Sequence, residues 1–141
     1  MISKNTLKYL RSLEMKKNRD RDRVLVAEGH KLVGDIINAF TPVYIAATRE
    51  WIEENLTRLK SDNPSLQRIE IDEVTPDELC RISAKGSPQQ VLAVFRQPEY
   101  STSMADACAD NLCLALDDVQ NPGNLGTIIR LADWFGIEHI F

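Results

Sequence analysis

The sequence predicts an α/β fold, because short apolar runs of strand type alternate with segments whose apolar residues recur at helical spacing. The runs at residues 24–27, 42–47 and 91–95 are bounded by charged or polar residues, as buried strands are. The helical segments between them would cover a mainly parallel sheet, which makes a three-layer α/β domain. The length of 141 residues suits one domain followed by part of another.

The first helix and the segment after it differ in character. Leucines recur at helical spacing behind Ser3 and Thr6, both suitable N-caps, so we predict an amphipathic helix over residues 3–13. Residues 16–23 contain no apolar side chain, which indicates a solvated loop or a frayed helix end.

The remaining elements of the first domain follow in order. Apolar residues on one face predict a helix over residues 32–40, and Thr48 can cap a further helix. Ile69 and Ile71 alternate with acidic residues, which indicates a third strand. Thr75-Pro76-Asp77-Glu78 has the sequence of a capping box with proline at the first helical position, and it predicts the start of a short helix.

The pattern changes near residue 97. Residues 98–111 are rich in small and polar side chains and indicate an interdomain linker with one helical turn, so the first domain is assigned to residues 1–97. Residues 112–141 then begin a second α/β domain with two apolar strands and one helix. These elements cannot cover their own apolar faces, so we expect the chain to be a fragment of a longer protein. Pairing of exposed strand edges with another copy is a further hypothesis.

The segment 116–132, LDDVQNPGNLGTIIRLA, is the most informative stretch. A strand ends, an Asn-Pro-Gly turn follows, and a helix begins at Asn124, which has the side chain of a good N-cap. Free N–H groups at that helix end, and Arg130 on the face shared with Gly126 and Thr127, would suit an anion. The same residues also fit a structural role, with a capping asparagine, turn glycines and a solvated arginine. The predicted core-facing stripe of this helix is Ile128, Leu131, Ala132 and Phe135.

This segment closely resembles the first signature motif of the SpoU (TrmH-like) branch of the SPOUT RNA methyltransferases, D-x-V-x-[DN]-P-x-N-x-G-x-I-x-R-[TS]-A. The residues in register are Asp117 or Asp118, Val119, Asn121, Pro122, Asn124, Gly126, Ile128, Arg130 and Ala132. Leu131 stands where the family has threonine or serine, which is a mild departure.

The first domain carries weaker resemblances to the same family. Residues 26–33, VAEGHKLV, look like a V-E-G-x-K-x-V stretch of the SpoU substrate-binding domain, although Glu28 and Gly29 also fit plain strand-end structure. Ile82-Ser83 together with residues 88–94, PQQVLAV, is similar to the end of that domain. The resemblance covers nearly the whole chain and implies a domain like a ribosomal protein that binds kinked RNA, followed by the start of a knotted SPOUT domain.

The resemblance implies transfer of a methyl group from S-adenosylmethionine to a ribose 2′-hydroxyl of ribosomal or transfer RNA. Arg130 matches the family arginine that activates or positions the ribose-phosphate, and Asn124 matches the asparagine that shapes the loop and contacts substrate. These two are the predicted catalytic residues. The cofactor-binding motifs would lie beyond Phe141, so we expect the 141 residues alone to be inactive and the full-length protein to be a homodimer.

Charge is distributed unevenly along the chain. Residues 1–31 carry nine lysines and arginines against four acidic residues, whereas the rest carries eight against seventeen. A basic end on an acidic body can orient a polyanion such as RNA, although residues 16–23 also fit a solvated loop that contacts nothing. The candidate RNA-binding residues are Lys4, Lys8, Lys16, Lys17, Arg19, Arg21, Arg23 and Lys31.

Two other function classes stay open beside the methyltransferase. One is a non-enzymatic RNA-binding module that uses only the first domain. The other is a phosphate- or nucleotide-binding α/β domain that uses the helix end at Asn124.

Several features of the sequence predict that the protein has no disulfide framework, no metal site and no membrane span. Three cysteines without a C-x-x-C pair and two distant histidines predict no disulfide framework and no metal site, and the thiols are expected to be buried or half-buried. Trp51 and Trp134 are expected to be half-buried packing residues. A polar N-terminus and the lack of a long apolar run predict a cytoplasmic protein without a membrane span.

Overall fold

A computed structural model describes residues 2–83, 89–99 and 103–141 of the chain. The chain forms two compact units, Met1–Pro98 and Glu99–Phe141. The first unit contains α1 (Lys4–Ser12), α2 (Lys16–Asp22), β1 (Val24–Glu28), α3 (His30–Ile36), β2 (Pro42–Ala47), α4 (Arg49–Asp62), a 3₁₀ turn (Pro64–Gln67), β3 (Glu70–Glu73), α5 (Pro76–Ile82) and β4 (Val91–Arg96). The second unit contains α6 (Met104–Asp110), β5 (Cys113–Leu114), α7 (Pro122–Trp134) and β6 (His139–Ile140).

The four strands of the first unit form one mixed sheet in the order β1-β4-β2-β3. Strand β4 is antiparallel to both β1 and β2, and only β2 and β3 run parallel. The α/β class is confirmed, but the expectation of a mainly parallel sheet is wrong. The apolar run of β4 does not reveal its direction, because a central strand covered on both faces reads the same in either orientation.

Alternate residues of the central strands pack into two separate clusters. Tyr44 of β2 and Leu92 of β4 lie in a cluster with residues of α1 and α5. Ile45 and Phe95 lie in a second cluster with residues of α3 and α4. Because side chains alternate across a strand, the two clusters lie on opposite faces of the sheet, and helices cover both.

Three helices begin at side-chain caps that the sequence indicates. The Ser3 hydroxyl accepts from the N–H of Thr6 at 3.1 Å, and Thr48 caps α4. Thr75 and Glu78 form the predicted capping box: the N–H of Glu78 donates to Thr75 Oγ1 at 3.2 Å, and the N–H of Thr75 donates to Glu78 Oε2 at 2.9 Å. The N–H that Thr75 donates to Glu78 Oε2 lowers the pKa of the Glu78 carboxyl, because it favours the charged form. The predicted helix starts are therefore confirmed here.

Residues 16–22 of the charged segment form the separate helix α2, which corrects the expectation of a solvated loop or a frayed helix end. The guanidinium of Arg19 donates through Nη1 to the backbone oxygens of Leu13 and Glu14, at 2.8 and 2.7 Å. The Nδ2 of Asn18 donates to the oxygen of Ser12 at 2.7 Å. Side chains of α2 thus donate to carbonyl oxygens at and just after the end of α1, and this contact between helices is not visible as apolar periodicity.

The corner between β1 and α3 has a structural need for glycine. Gly29 has φ +103°, and a Cβ there would overlap the side-chain amide of Gln89. Beside it, the hydroxyl of Ser83 donates to Glu28 Oε2 at 2.6 Å, and Glu28 is buried. The corner therefore joins β1, the end of α5 and the start of β4. Pro88 of the predicted PQQVLAV stretch lies outside the described residues.

The second unit leaves much apolar surface exposed. Strands β5 and β6 are parallel and contribute two residues each, and α6 is a two-turn helix where a linker with one turn was expected. In α7 only Ala132 of the predicted core stripe is buried, while Leu131 and Phe135 are exposed. Trp134 is 83% exposed, whereas Trp51 of the first unit is fully buried, so the expectation of half-buried tryptophans is wrong for both. Residues 100–102 of the predicted linker lie outside the described part of the chain.

We predict that Gly29→Ala destabilises the first unit by about 1–3 kcal/mol, because alanine strains a positive φ and meets Gln89. The matched control is Gly34→Ala in α3, where a Cβ meets nothing within 4 Å and helix propensity should stabilise by up to about 1 kcal/mol. Urea unfolding, followed by Trp51 emission in a Trp134→Phe background, measures both. Equal stability of the two variants would contradict the structural role of Gly29.

Candidate functional site

Helix α7 begins three residues earlier than predicted, and Asn121 is its cap. The Oδ1 of Asn121 accepts from the N–H groups of Gly123 and Asn124 at 2.8 and 3.1 Å. Pro122 occupies the first helical position, where its missing N–H costs nothing. The expectation that Asn124 caps the helix is therefore wrong, because an asparagine immediately before a proline fits the cap better than one inside the first turn.

This capping leaves the helix end with few donors for an anion. Pro122 has no N–H, the next two N–H groups go to the Asn121 side chain, and the N–H of Leu125 donates to the Asn121 oxygen at 3.0 Å. The predicted role of the first helical turn as an open anion site is thus not supported by the geometry. The side chain of Asn124 is exposed and lies on the first turn, free of a capping role.

Arg130 lies on the same helix face as Thr127, as the spacing predicts. Its Nη2 donates to Thr127 Oγ1 at 3.4 Å, and Thr127 Oγ1 donates to the oxygen of Gly123 at 3.0 Å. Apart from its chain neighbours and the backbone of its own helix, a Cβ built on Gly126 would meet no atom within 4 Å, so the helix surface next to these residues is open. The exposed guanidinium keeps further N–H donors in a planar fork that suits a phosphate.

The loop that leads into α7 is held at both ends. The N–H of Leu116 donates to the oxygen of Phe141 at 2.7 Å, which extends the pairing of β5 with β6. Asp118 has φ +53°, and its Oδ1 accepts from the Nε2 of Gln120 at 2.9 Å. The loop is exposed to solvent, so Arg130 stands beside an ordered, accessible surface that does not enclose a ligand.

The predicted RNA-binding residues fall on two parts of the first unit. Seven belong to the hairpin of α1 and α2 or to its end, and Lys31 belongs to the first turn of α3. All are exposed except the half-buried Arg19, whose Nη1 is bonded to the end of α1. The hairpin residues are Lys4, Lys8, Lys16, Lys17, Arg19, Arg21 and Arg23. The two helices of the hairpin therefore carry most of the predicted cations.

One of these cations is partly neutralised. The Nε and Nη2 of Arg21 donate to the carboxylate of Asp22 at 2.7 and 3.1 Å. The same hydrogen bond raises the pKa of Arg21 and lowers the pKa of Asp22. Burial, followed by the charge of Asp22, raises the pKa of the nearby Tyr9 hydroxyl. Arg21 is consequently a weaker candidate for an RNA phosphate than the lysines.

The sequence prediction missed a cavity of about 590 Å³ beside the edge strand β1. It is lined by residues of α1, α2, β1, α3 and α5, and it includes Arg11, Arg19 and Arg81. Of these only Arg19 was a predicted RNA-binding residue. Arg11 lies within the basic segment 1–31 and could have been found there, but Arg81 is distant in sequence and only the fold brings it close.

Other predictions concern thiols, metals and membranes. The three cysteines are free thiols, but Cys80 and Cys108 are exposed, which corrects the expectation of buried or half-buried side chains. Burial and the neighbouring Cys108 raise the pKa of the Cys113 thiol.

Within the described ranges, no three histidine, cysteine or acidic side chains are grouped as metal ligands would be. None of the helices in that part of the chain has the length and apolarity of a membrane span.

We predict that Asn121→Ala removes the cap of α7 and destabilises that helix by about 1 kcal/mol. Amide hydrogen exchange of Gly123 and Asn124 should accelerate in this variant, because their acceptor is lost. Asn124→Ala is the matched control and should leave the exchange of the first turn unchanged. Faster exchange in the control and not in Asn121→Ala would mean that Asn124 is the cap after all.

Comparison with known proteins identifies the family. The profile of the MRM3-like substrate-binding domain matches residues 4–93. The chain is 29% identical over 134 residues to the 23S rRNA (guanosine(2553)-2'-O)-methyltransferase RlmP of Bacillus subtilis, covering 95% of this chain and 49% of that protein. It therefore spans about half the length of this curated relative.

Solved structures agree with that match. A TrmH-family protein from Porphyromonas gingivalis superposes with a TM-score of 0.74 at 34% identity, over 99% of this chain and 51% of the other. An rRNA methyltransferase from Sinorhizobium meliloti, solved with S-adenosylmethionine bound, also has a TM-score of 0.74, at 29% identity over 99% and 52%. Through its MRM3-like substrate-binding domain, the chain belongs to the SpoU (TrmH-like) family of RNA methyltransferases.

Proposed function

We propose that this protein acts in S-adenosylmethionine-dependent methylation of a ribose 2′-hydroxyl in ribosomal or transfer RNA. The observation that carries the proposal is Arg130, an exposed arginine of the family motif that lies beside Thr127 on α7. The S. meliloti relative is an rRNA methyltransferase with the cofactor bound, and RlmP of B. subtilis is a 2′-O-methyltransferase. Both support the same reaction class for this chain.

In this proposal, residues 1–97 form the RNA-binding domain, 98–111 the linker and 112–141 the start of the catalytic domain. The exposed lysines of the α1–α2 hairpin supply the sequence-independent attraction for phosphate. This first domain would bind kinked RNA, in the manner of the ribosomal protein that it resembles. Each lysine that contacts a phosphate adds about one unit to the salt dependence of binding.

The chemical role of Arg130 follows from the weakness of the nucleophile. A ribose hydroxyl attacks a methyl group only when it is held in line with it and its proton is removed. The Arg130 fork would hold the phosphate next to the target ribose and fix the hydroxyl, while Thr127 restrains the guanidinium. Asn124, released from capping by Asn121, is available to contact the same nucleotide.

S-adenosylmethionine would supply the methyl group. The turn at 117–125 does not fit the cofactor by itself, because it is open to solvent and its helix N–H groups are already bonded. We therefore propose that residues outside these 141 hold the cofactor, that this chain alone does not methylate, and that the complete protein is a cytoplasmic homodimer. The exposed apolar side chains of α7, such as Trp134 at 83%, are consistent with further protein packing there.

The second candidate function is that of a non-enzymatic RNA-binding module. The match of residues 4–93 to a substrate-binding domain fits such a module without any enzymatic activity. Titration of S-adenosylmethionine into this chain and into the product of its complete reading frame separates the two. Binding to the longer product, together with methyl transfer to RNA, supports the enzyme. Tight RNA binding without cofactor binding by either product would favour the module.

We predict that Arg130→Ala in the complete protein lowers methyl transfer by at least about 100-fold, because the ribose-phosphate is no longer oriented. RNA affinity should change by less than about threefold, since one of many phosphate contacts is lost. Radioactive methyl transfer and filter binding measure the two effects. Arg49→Ala, an exposed arginine paired with Glu53, is the matched control and should keep full activity. Normal turnover of Arg130→Ala would remove this residue from the mechanism.

A further inference from the structure

The cavity beside strand β1 has an apolar wall that the core does not fill. Leu10, Leu13 and Ile82 are buried at this wall, and Leu25 and Val26 are half-buried. Leu32 also lines it, yet its side chain remains 47% exposed on α3. The volume of about 590 Å³ lies within the range of small-molecule sites in proteins. The wall can therefore take a flat apolar group.

Arginines surround this wall. Arg11 and Arg81 are exposed, line the cavity from α1 and α5, and are in no ion pair within the described ranges. Arg19 lines it from α2 and is held in place by its bonds to the oxygens of Leu13 and Glu14. A guanidinium plane can stack on a base, and its N–H groups can hold a phosphate.

A polar pair completes the lining. Glu28 and Ser83, joined by their 2.6 Å hydrogen bond, contribute oxygen atoms at the end of β1. Hydrogen-bonding atoms beside an apolar wall are what a nucleobase needs, because its faces are apolar and its edges polar. Glu14 is the other acidic residue at the cavity, so the three arginines outnumber the two glutamates.

We propose that this cavity binds one unstacked nucleotide of the RNA. The base lies against the leucine wall, and its phosphate lies on Arg11 and Arg81. The inference rests on the proposed function, since it assumes that the ligand is RNA. An RNA strand is favoured over a free nucleotide because the cavity adjoins the α1–α2 hairpin, whose exposed lysines attract a longer polyanion.

The test uses the 141-residue chain and two RNA hairpins. One hairpin is fully paired, and the other carries a single bulged nucleotide, which is fluorescent 2-aminopurine. Wild-type protein should bind the bulged hairpin at least tenfold more tightly than the fully paired one and change the 2-aminopurine emission. R11A/R81A should lose most of that preference. R49A/R68A, which removes the same formal charge from exposed arginines outside the cavity, is the matched control and should leave the preference for the bulged hairpin unchanged.

A charge-neutral variant tests the apolar wall. Leu32→Ala should weaken binding of the bulged hairpin about threefold or more and leave binding of the paired hairpin unchanged. Because the Leu32 side chain is exposed, its truncation should not disturb the fold. Circular dichroism confirms the fold of each variant.

The outcomes separate the site from the function. Equal binding of both hairpins by wild-type protein, or equal effects of R11A/R81A and R49A/R68A, would overturn the nucleotide cavity and leave RNA binding in place. Absence of binding to either hairpin would overturn the proposed function and the cavity with it. Adenosine monophosphate binding more tightly than the bulged hairpin would overturn RNA as the source of the nucleotide.

Discussion

Strand β4 holds the first unit together, because it pairs with β1 on one side and β2 on the other. Val91 to Phe95 are all buried, and alternate residues contribute to the clusters on both faces of the sheet. Burial of one such side chain is worth about 2 kcal/mol, so this strand is a main source of stability. The N–H of Gly29 donates to the oxygen of Val91 at 2.9 Å, which fixes the corner where β1 meets α3. The cavity wall and the α1–α2 hairpin both depend on the position of β1.

Charge in the basic segment serves two purposes. Arg19 bonds to carbonyl oxygens at the end of α1 and so helps to order the hairpin, whereas Arg21 is paired with its neighbour Asp22. The lysines of the same hairpin stay exposed and supply the attraction for a polyanion. A flexible basic tail would attract RNA equally well at long range, but only an ordered hairpin can form one wall of a cavity. Under the proposed function, different members of one charged run would therefore serve the fold and the RNA.

In the motif at 117–132, some residues likewise stabilise the fold while others stay available to a ligand. Asn121 and Pro122 satisfy or remove the N–H groups of the first turn, so the backbone there has little left for a ligand. The charged group that remains is Arg130, four residues after the open surface at Gly126. We therefore expect a phosphate to be held by the side chain of Arg130 and not by the N-terminal end of the helix dipole. The Arg130 side chain is oriented by its hydrogen bond to Thr127, whereas the field of the helix dipole is fixed along the helix axis.

By itself the sequence determined the α/β class, the capped helix starts at Ser3, Thr48 and Thr75, and the family motif around Arg130, because each depends on residues close together in the chain. Only the tertiary structure decided the antiparallel direction of β4, since a strand covered on both faces has the same pattern in either direction. It also decided that α2 is a helix, through the bonds of Arg19 to α1. Likewise, Arg11 and Arg81 share a cavity although 70 positions separate them, because α1 and α5 cover the same face of the sheet.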